Sequence, residues 1–173
     1  MTGLDTIRPA GGPTQPVSQP SGLASIINAI YEYFSPRELS IGVASVEKGQ
    51  LINFPINASS LGDISAVSFT LEFEVSKLQN PTVLVSPNSP ADMVVTVNSD
   101  NAKDGRIGVL IEMPTPIADG TGFISIIFES SDDAFGSSAV VRFSDSVAPK
   151  SASDAIGTDA AIRFVDRAIK DPR

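Results

Sequence analysis

The chain has 173 residues, a formal net charge of −8 from 12 basic and 20 acidic side chains, an apolar fraction of 42%, and neither His nor Cys. That length holds one domain comfortably, and the apolar fraction is ample for a core, which argues against disorder throughout. Without His or Cys there is no Ser-His-Asp or Cys-His catalysis, no disulfide and no ordinary zinc or copper centre, although carboxylate pairs suffice for some hydrolases.

Charge is unevenly placed. Asp5, Glu32, Arg8 and Arg37 cancel within residues 1–37, so the whole −8 belongs to residues 38–173. An acidic surface with no Lys/Arg cluster repels phosphate backbones and argues against nucleic acid. No apolar run has the length of a membrane span. The start lacks a basic stretch followed by an apolar one, and the expectation is a module of a longer exported chain, extracellular or at the cell surface.

Residues 1–22 hold Pro9, Pro13, Pro16 and Pro20 among Gly, Ser, Thr and Gln, a composition that stays extended and reads as a linker. Over residues 23–36 the period becomes helical. Leu23, Ile26, Ile27, Ile30, Tyr31 and Phe34 form one stripe, with Ser21 as N-cap and Pro36 as stop. A helix this short needs a surface to pack on. It either covers an open end of the domain or docks Leu23–Phe34 on a neighbouring module or a second copy, giving a homo-oligomer.

From Glu38 the period is two. Leu39, Ile41 and Val43 alternate in a first strand, Lys48-Gly49 turns the chain, and Ile52, Phe54 and Ile56 face inward on a second. Pro55 cannot donate a ladder bond and marks an edge strand or a bulge. Leu61-Gly62-Asp63 leads into the stretch that organises the rest. There Val67, Phe69, Leu71 and Phe73 alternate with Ala66, Ser68, Thr70, Glu72 and Glu74. One face of that strand is wholly apolar, and only a second sheet can cover it.

Thr82–Ser86 and Met93–Asn98 read as short strands. The Asp100–Gly105 segment resembles the start of a calcium loop, but Ala102 stands at a ligand position and no Glu follows where one is needed. It reads as a hairpin connection, and no metal or cofactor is expected. Ile107, Val109 and Ile111 form the next inward face, and Asp119-Gly120 turns into Phe123–Glu129. Ala139, Val141 and Phe143 mark a strand over Ser137–Ser144, and Ile162 and Phe164 a last one after Ile156-Gly157-Thr158. The expected fold is all-β: a nine-stranded antiparallel β-sandwich, jelly-roll-like, over residues 38–170, with one short N-terminal helix. Val67, Phe69, Leu71, Phe73, Ile107, Val109, Ile126, Phe128, Val141 and Phe143 are the expected core.

Several stretches together resemble the cohesin domain, the receptor module of cellulosome-type scaffolds. Lys48-Gly49-Gln50-Leu51-Ile52-Asn53-Phe54-Pro55-Ile56 looks like that family's second strand. Phe69–Phe73 followed by Glu74-Val75-Ser76-Lys77-Leu78 is similar to its central strand and acidic turn, with Phe73, Glu74 and Val75 in place of tyrosine, aspartate and proline. Gly105–Ile111, Ile117–Phe123 and Ile126-Ile127-Phe128 match its later strands. The resemblance runs from Glu38 to Lys170, and several carbohydrate-binding modules share the fold.

The resemblance implies an extracellular, non-catalytic module that binds a small calcium-loaded helical partner, the dockerin. It also implies a binding face on the third, fifth, sixth and eighth strands. Mapped onto this chain, the outward positions of that face are Ser68, Thr70, Glu72, Thr96, Asn98, Leu110, Glu112 and Arg142. The alternatives are a self-assembling surface or filament subunit working through the N-terminal segment, and a carbohydrate-binding module. Sugar platforms need exposed flat aromatics. Here Trp is 0, both Tyr lie in the predicted helix, and seven of the nine Phe fall inside predicted strands.

Overall fold

The apolar faces read from the period-two segments meet across two sheets. The computed structural model of the chain describes residues 36–42, 44, 49–117, 122–132 and 139–166. The proline-rich linker and the Leu23–Phe34 helix expected from the sequence lie outside the described residues, as does the Asp119-Gly120 turn.

Ten strands are described: β1 (Glu38–Ile41), β2 (Leu51–Ser59), β3 (Ile64–Phe73), β4 (Leu78–Val85), β5 (Val94–Asn98), β6 (Arg106–Glu112), β7 (Gly122–Ser130), β8 (Val141–Ser144), β9 (Ser151–Asp154) and β10 (Arg163–Asp166). The first sheet has the order β10-β1-β2-β7-β4 and the second β5-β6-β3-β8, with β9 also pairing with β3. The chain repeatedly leaves one sheet for the other, at β2 to β3, β3 to β4, β4 to β5, β6 to β7, β7 to β8 and β9 to β10. Such crossings suit a sandwich whose sheets share one core.

All ten expected core residues are buried, and Leu39, Ile41, Ile52, Phe54, Ile56 and Phe123 join them. Aromatic rings tie the sheets together. Phe73 of β3 meets Phe128 of β7 at 4.8 Å between centroids, and Phe128 stands edge-on to Phe54 of β2 at 5.7 Å. At the other side Phe69 meets Phe143 at 5.1 Å, and Phe143 meets Phe164 of β10 at 5.2 Å.

Three features differ from the sequence reading. Ser151–Asp154 is a strand where only a connection was expected. It continues the edge of β3 that β8 begins, pairing Ser68 with Ser151 and Ala66 with Ser153. The last strand is parallel to the first, with Leu39 opposite Phe164 and Ile41 opposite Asp166, so the sandwich is not wholly antiparallel. Hydrophobic alternation carries no information on strand direction, so the pattern could not have revealed it. Finally, Pro55 lies inside the sheet, between β1 and β7, and the bulge is the correct half of the expectation, since the register shifts after Ile56. The Pro55 carbonyl accepts from Gly42 N at 2.7 Å. Its missing N–H faces the same side, where β1 has just ended at Ile41, so little of the ladder is lost.

Among the described residues no helix is long and apolar enough to cross a membrane.

Candidate functional site

Strand parity decides what the second sheet shows to solvent. β3 sets Glu72 between Arg106 of β6 and Arg142 of β8, Thr70 between Gly108 and Ser144, Ser68 between Leu110 and Ser151, and Ala66 between Glu112 and Ser153. β5 extends these rows with Asn98 beside Gly108, Thr96 beside Leu110 and Val94 beside Glu112. Directly opposed residues share a face. The positions Ser68, Thr70, Glu72, Thr96, Asn98, Leu110, Glu112 and Arg142 are therefore all brought onto one outer face.

They do not behave alike there. Glu72 is held from several directions. Ser144 Oγ and Ser146 Oγ donate to Oε1 at 2.7 and 2.6 Å, and Arg142 Nε donates to Oε2 at 3.3 Å. Arg142 Nη2 is 3.2 Å away and Arg106 Nε 3.8 Å. The Ser146 and Ser144 hydroxyls, and after them Arg142, hold its carboxyl below the usual glutamate range despite the opposing effect of desolvation. Glu72 therefore ties β6, β3 and β8 together, and little of its acceptor capacity is left for a partner.

That depressed value has a pH consequence. A carboxylate with a lowered folded-state pKa contributes its stability in full above its unfolded value, about 4.3, and loses it as pH falls through the folded value. Glu72→Gln should thus lower stability at neutral pH. The gap from wild type should close below about pH 4, as urea melts at the two pH values will read. A gap independent of pH would assign the tie to shape and not to charge.

Thr70 is the second departure. Although it points out of the sheet, it is only 3% exposed. Beside it Gly108 has no side chain, which leaves a hollow of about 220 Å³ between Asn98, Thr70 and Leu110, and Val147 and Ala148 form its wall. Those two residues belong to the excursion between β8 and β9. The Asp145 carboxylate closes it by accepting the Lys150 N–H at 3.1 Å and Nζ at 2.7 Å. The same Lys150 contacts hold the Asp145 carboxyl below its ordinary range.

The upper rows remain open. Leu110 is 39% exposed at the middle of the face, with Val94 and Thr96 exposed on β5 and Glu112 exposed beside them. Val94, Arg106, Val147 and Ala148 belong to this surface and were missed in the sequence. Parity alone would have found Val94 and Arg106. Nothing in Ser146-Val147-Ala148-Pro149 points to a loop folded back over a sheet.

Among the described residues, no group of three or more acidic side chains is placed to hold a metal ion. The large aromatics of the strands pack in or against the core, so among the described residues the face shows no flat ring on which a sugar could stack.

No family model and no curated protein matches the chain. Solved structures do. A type I cohesin of OlpA from Clostridium thermocellum, solved in a cohesin-dockerin complex, superposes with a TM-score of 0.62 at 19% identity, over 75% of this chain and 94% of that one. The sixth cohesin of scaffoldin B from Acetivibrio cellulolyticus, solved with a Cel5 dockerin, gives 0.60 at 21% identity over 75% and 94%. The second type II cohesin module of the ScaA scaffoldin from the same organism gives 0.57 at 13% identity over 77% and 92%. At such identities the likeness is one of architecture, and the two-sheet sandwich of this chain has the cohesin fold.

Proposed function

We propose that this chain is a non-catalytic, extracellular protein-binding module that takes a dockerin-type helical partner on the outer face of its second sheet. The observation that carries the reading is Leu110, a large apolar side chain standing 39% exposed in the middle of a mostly polar sheet face, with Val94 51% exposed on the neighbouring strand. A small apolar patch, Leu110 with Val94, among hydroxyl, amide and acidic groups suits a helix laid across the strands. The −8 of the chain favours a basic or metal-loaded partner and speeds its approach. Support also comes from the cohesin structures above, whose own partners in two of the three cases are dockerins. Glu72, the acid best placed for chemistry, is already engaged by serine and arginine, which supports a non-catalytic role.

Leu110→Asp combined with Thr96→Arg tests the reading, since both side chains are exposed and neither supports the core. Titration calorimetry against calcium-loaded dockerin modules of the source organism should show the wild type binding and the variant weakened by about 30- to 100-fold, as for loss of a buried anchor. The melting temperature should hardly move. Unchanged affinity in the variant would remove the face from consideration. Retention of the wild type on insoluble polysaccharide would favour sugar binding instead.

A further inference from the structure

A sandwich of two open sheets has strand edges to manage, because an unpaired edge offers its N–H and C=O groups to any extended chain. Most edges here are blocked. β4 carries Pro81 and a register shift between Gln79 and Thr82. On β8 the outward Phe143 N–H is capped by the Asp166 carboxylate at 2.8 Å. On β9 the chain folds back on itself, with Ala160 N donating to Ala152 O at 2.8 Å and Asp154 N to Thr158 O at 3.0 Å. β10 is short and bears Arg163 and Asp166.

β5 has none of these devices. Its sequence Val94-Val95-Thr96-Val97-Asn98 has no charge, no proline and no bulge, and it pairs only with β6. Parity shows which backbone groups are free. Met113 N donates to Ser65 O and Phe73 N to Gly105 O, so odd-numbered residues of β6 point their backbone at β3 and even-numbered ones at β5. Hence Val94, Thr96 and Asn98 bond to Glu112, Leu110 and Gly108, and the N–H and C=O of Val95 and Val97 face away from the sheet. Among the described residues no hydrogen bond reaches them there. Val94 and Val97 are 51% and 37% exposed on either face of this edge.

We propose that the β5 edge is a second binding site, which adds an extended peptide strand of alternating apolar residues flanked by basic residues. An antiparallel strand would bond to Val95 and Val97. Its side chains opposite these two would cover Val97, and those on the other face would lie beside Val94 and Thr96. The charge requirement follows from the exposed Asp92 and Asp100 at the two ends of the strand. The same acids disfavour a second copy of this chain as occupant. An antiparallel copy centred on Thr96, the register that pairs Val95 with Val97 in both directions, would set each Asp92 against an Asp100. Both copies would also carry −8.

The site differs from the Leu110 face, and the two can fail separately. The probe is a synthetic peptide, Lys-Lys-Val-Thr-Val-Thr-Val-Lys-Lys, added to the full chain and followed by amide hydrogen exchange in NMR. Exchange at Val95 and Val97 should slow by tenfold or more at saturation, and an analogue with glutamates in place of the lysines should give no protection. Val97→Pro removes one free N–H without touching a bond to β6, and should abolish the protection. Asp100→Lys, on an exposed turn, should weaken the lysine peptide several-fold even if the proline variant folds poorly. Leu110→Asp should leave peptide binding intact. Lack of protection at millimolar peptide, or equal binding of the glutamate analogue, overturns the proposal. So does protection of Val95 and Val97 without peptide that grows with protein concentration, because a second copy then holds the edge.

Discussion

Phe69→Ala should lower stability by about 3–5 kcal/mol, through lost transfer energy and the cavity left behind. Phe69 is 2% exposed and sits among Phe143 at 5.1 Å and Phe164 at 6.1 Å between ring centroids. Those rings come from β8 and β10, so this single side chain joins the central strand to an edge of each sheet. Each ring pair adds about 0.5–1.5 kcal/mol beyond its area. The backbone of a paired strand cannot collapse into the space, which places the cost toward the upper end. For a domain of this size each kcal/mol moves the midpoint by about 3 °C, so a fall of roughly 10–15 °C is expected in a thermal melt. A fall of only a degree or two would mean that Phe143 and Phe164 refill the site.

Gly105→Ala should have the next largest effect on the fold. Gly105 follows the short 3₁₀ turn Ala102–Asp104 and has φ of +76°, with its N–H bonded to Ala102 O at 3.1 Å. A left-handed residue with a side chain costs about 1–2 kcal/mol. The greater problem is contact, since an added Cβ would lie 2.4 Å from the Phe73 carbonyl oxygen. That approach cannot be relieved by a rotamer change, because the Phe73 N–H is itself bonded to Gly105 O at 2.8 Å and both belong to the β3–β6 ladder. The total should reach about 2–4 kcal/mol. A urea melt should show a lower midpoint with an unchanged slope, and Phe73 N–H should exchange faster. If the midpoint holds, the β5–β6 turn is free to shift without disturbing the central strand.

The inward faces were readable because period-two alternation of large residues has one physical meaning in a half-buried strand. Phe69, Leu71, Ile107 and Val141 needed no other information. The same logic failed at Ser151–Asp154, where Ala152 is the only apolar residue and is too small to register as a core position. It failed for Thr70 in a different way. The residue points outward as read, but the Asp145–Lys150 excursion lies beside it, and no local pattern predicts where a loop returns. Glu72 was legible as outward and acidic. Its engagement depends on Ser144, Ser146 and Arg142, more than 69 positions away along the chain and adjacent only in the sheet.

The parallel pairing of β1 with β10 bears on how the domain would transmit force. Residues before Glu38 leave from one end of that ladder and residues after Asp166 from the other, because both strands run the same way. Tension between the two exits then pulls the strands lengthwise past each other, and the hydrogen bonds joining Glu38–Ile41 to Arg163–Asp166 share the load together. Antiparallel terminal strands with exits at one end would instead be peeled apart, one bond after another.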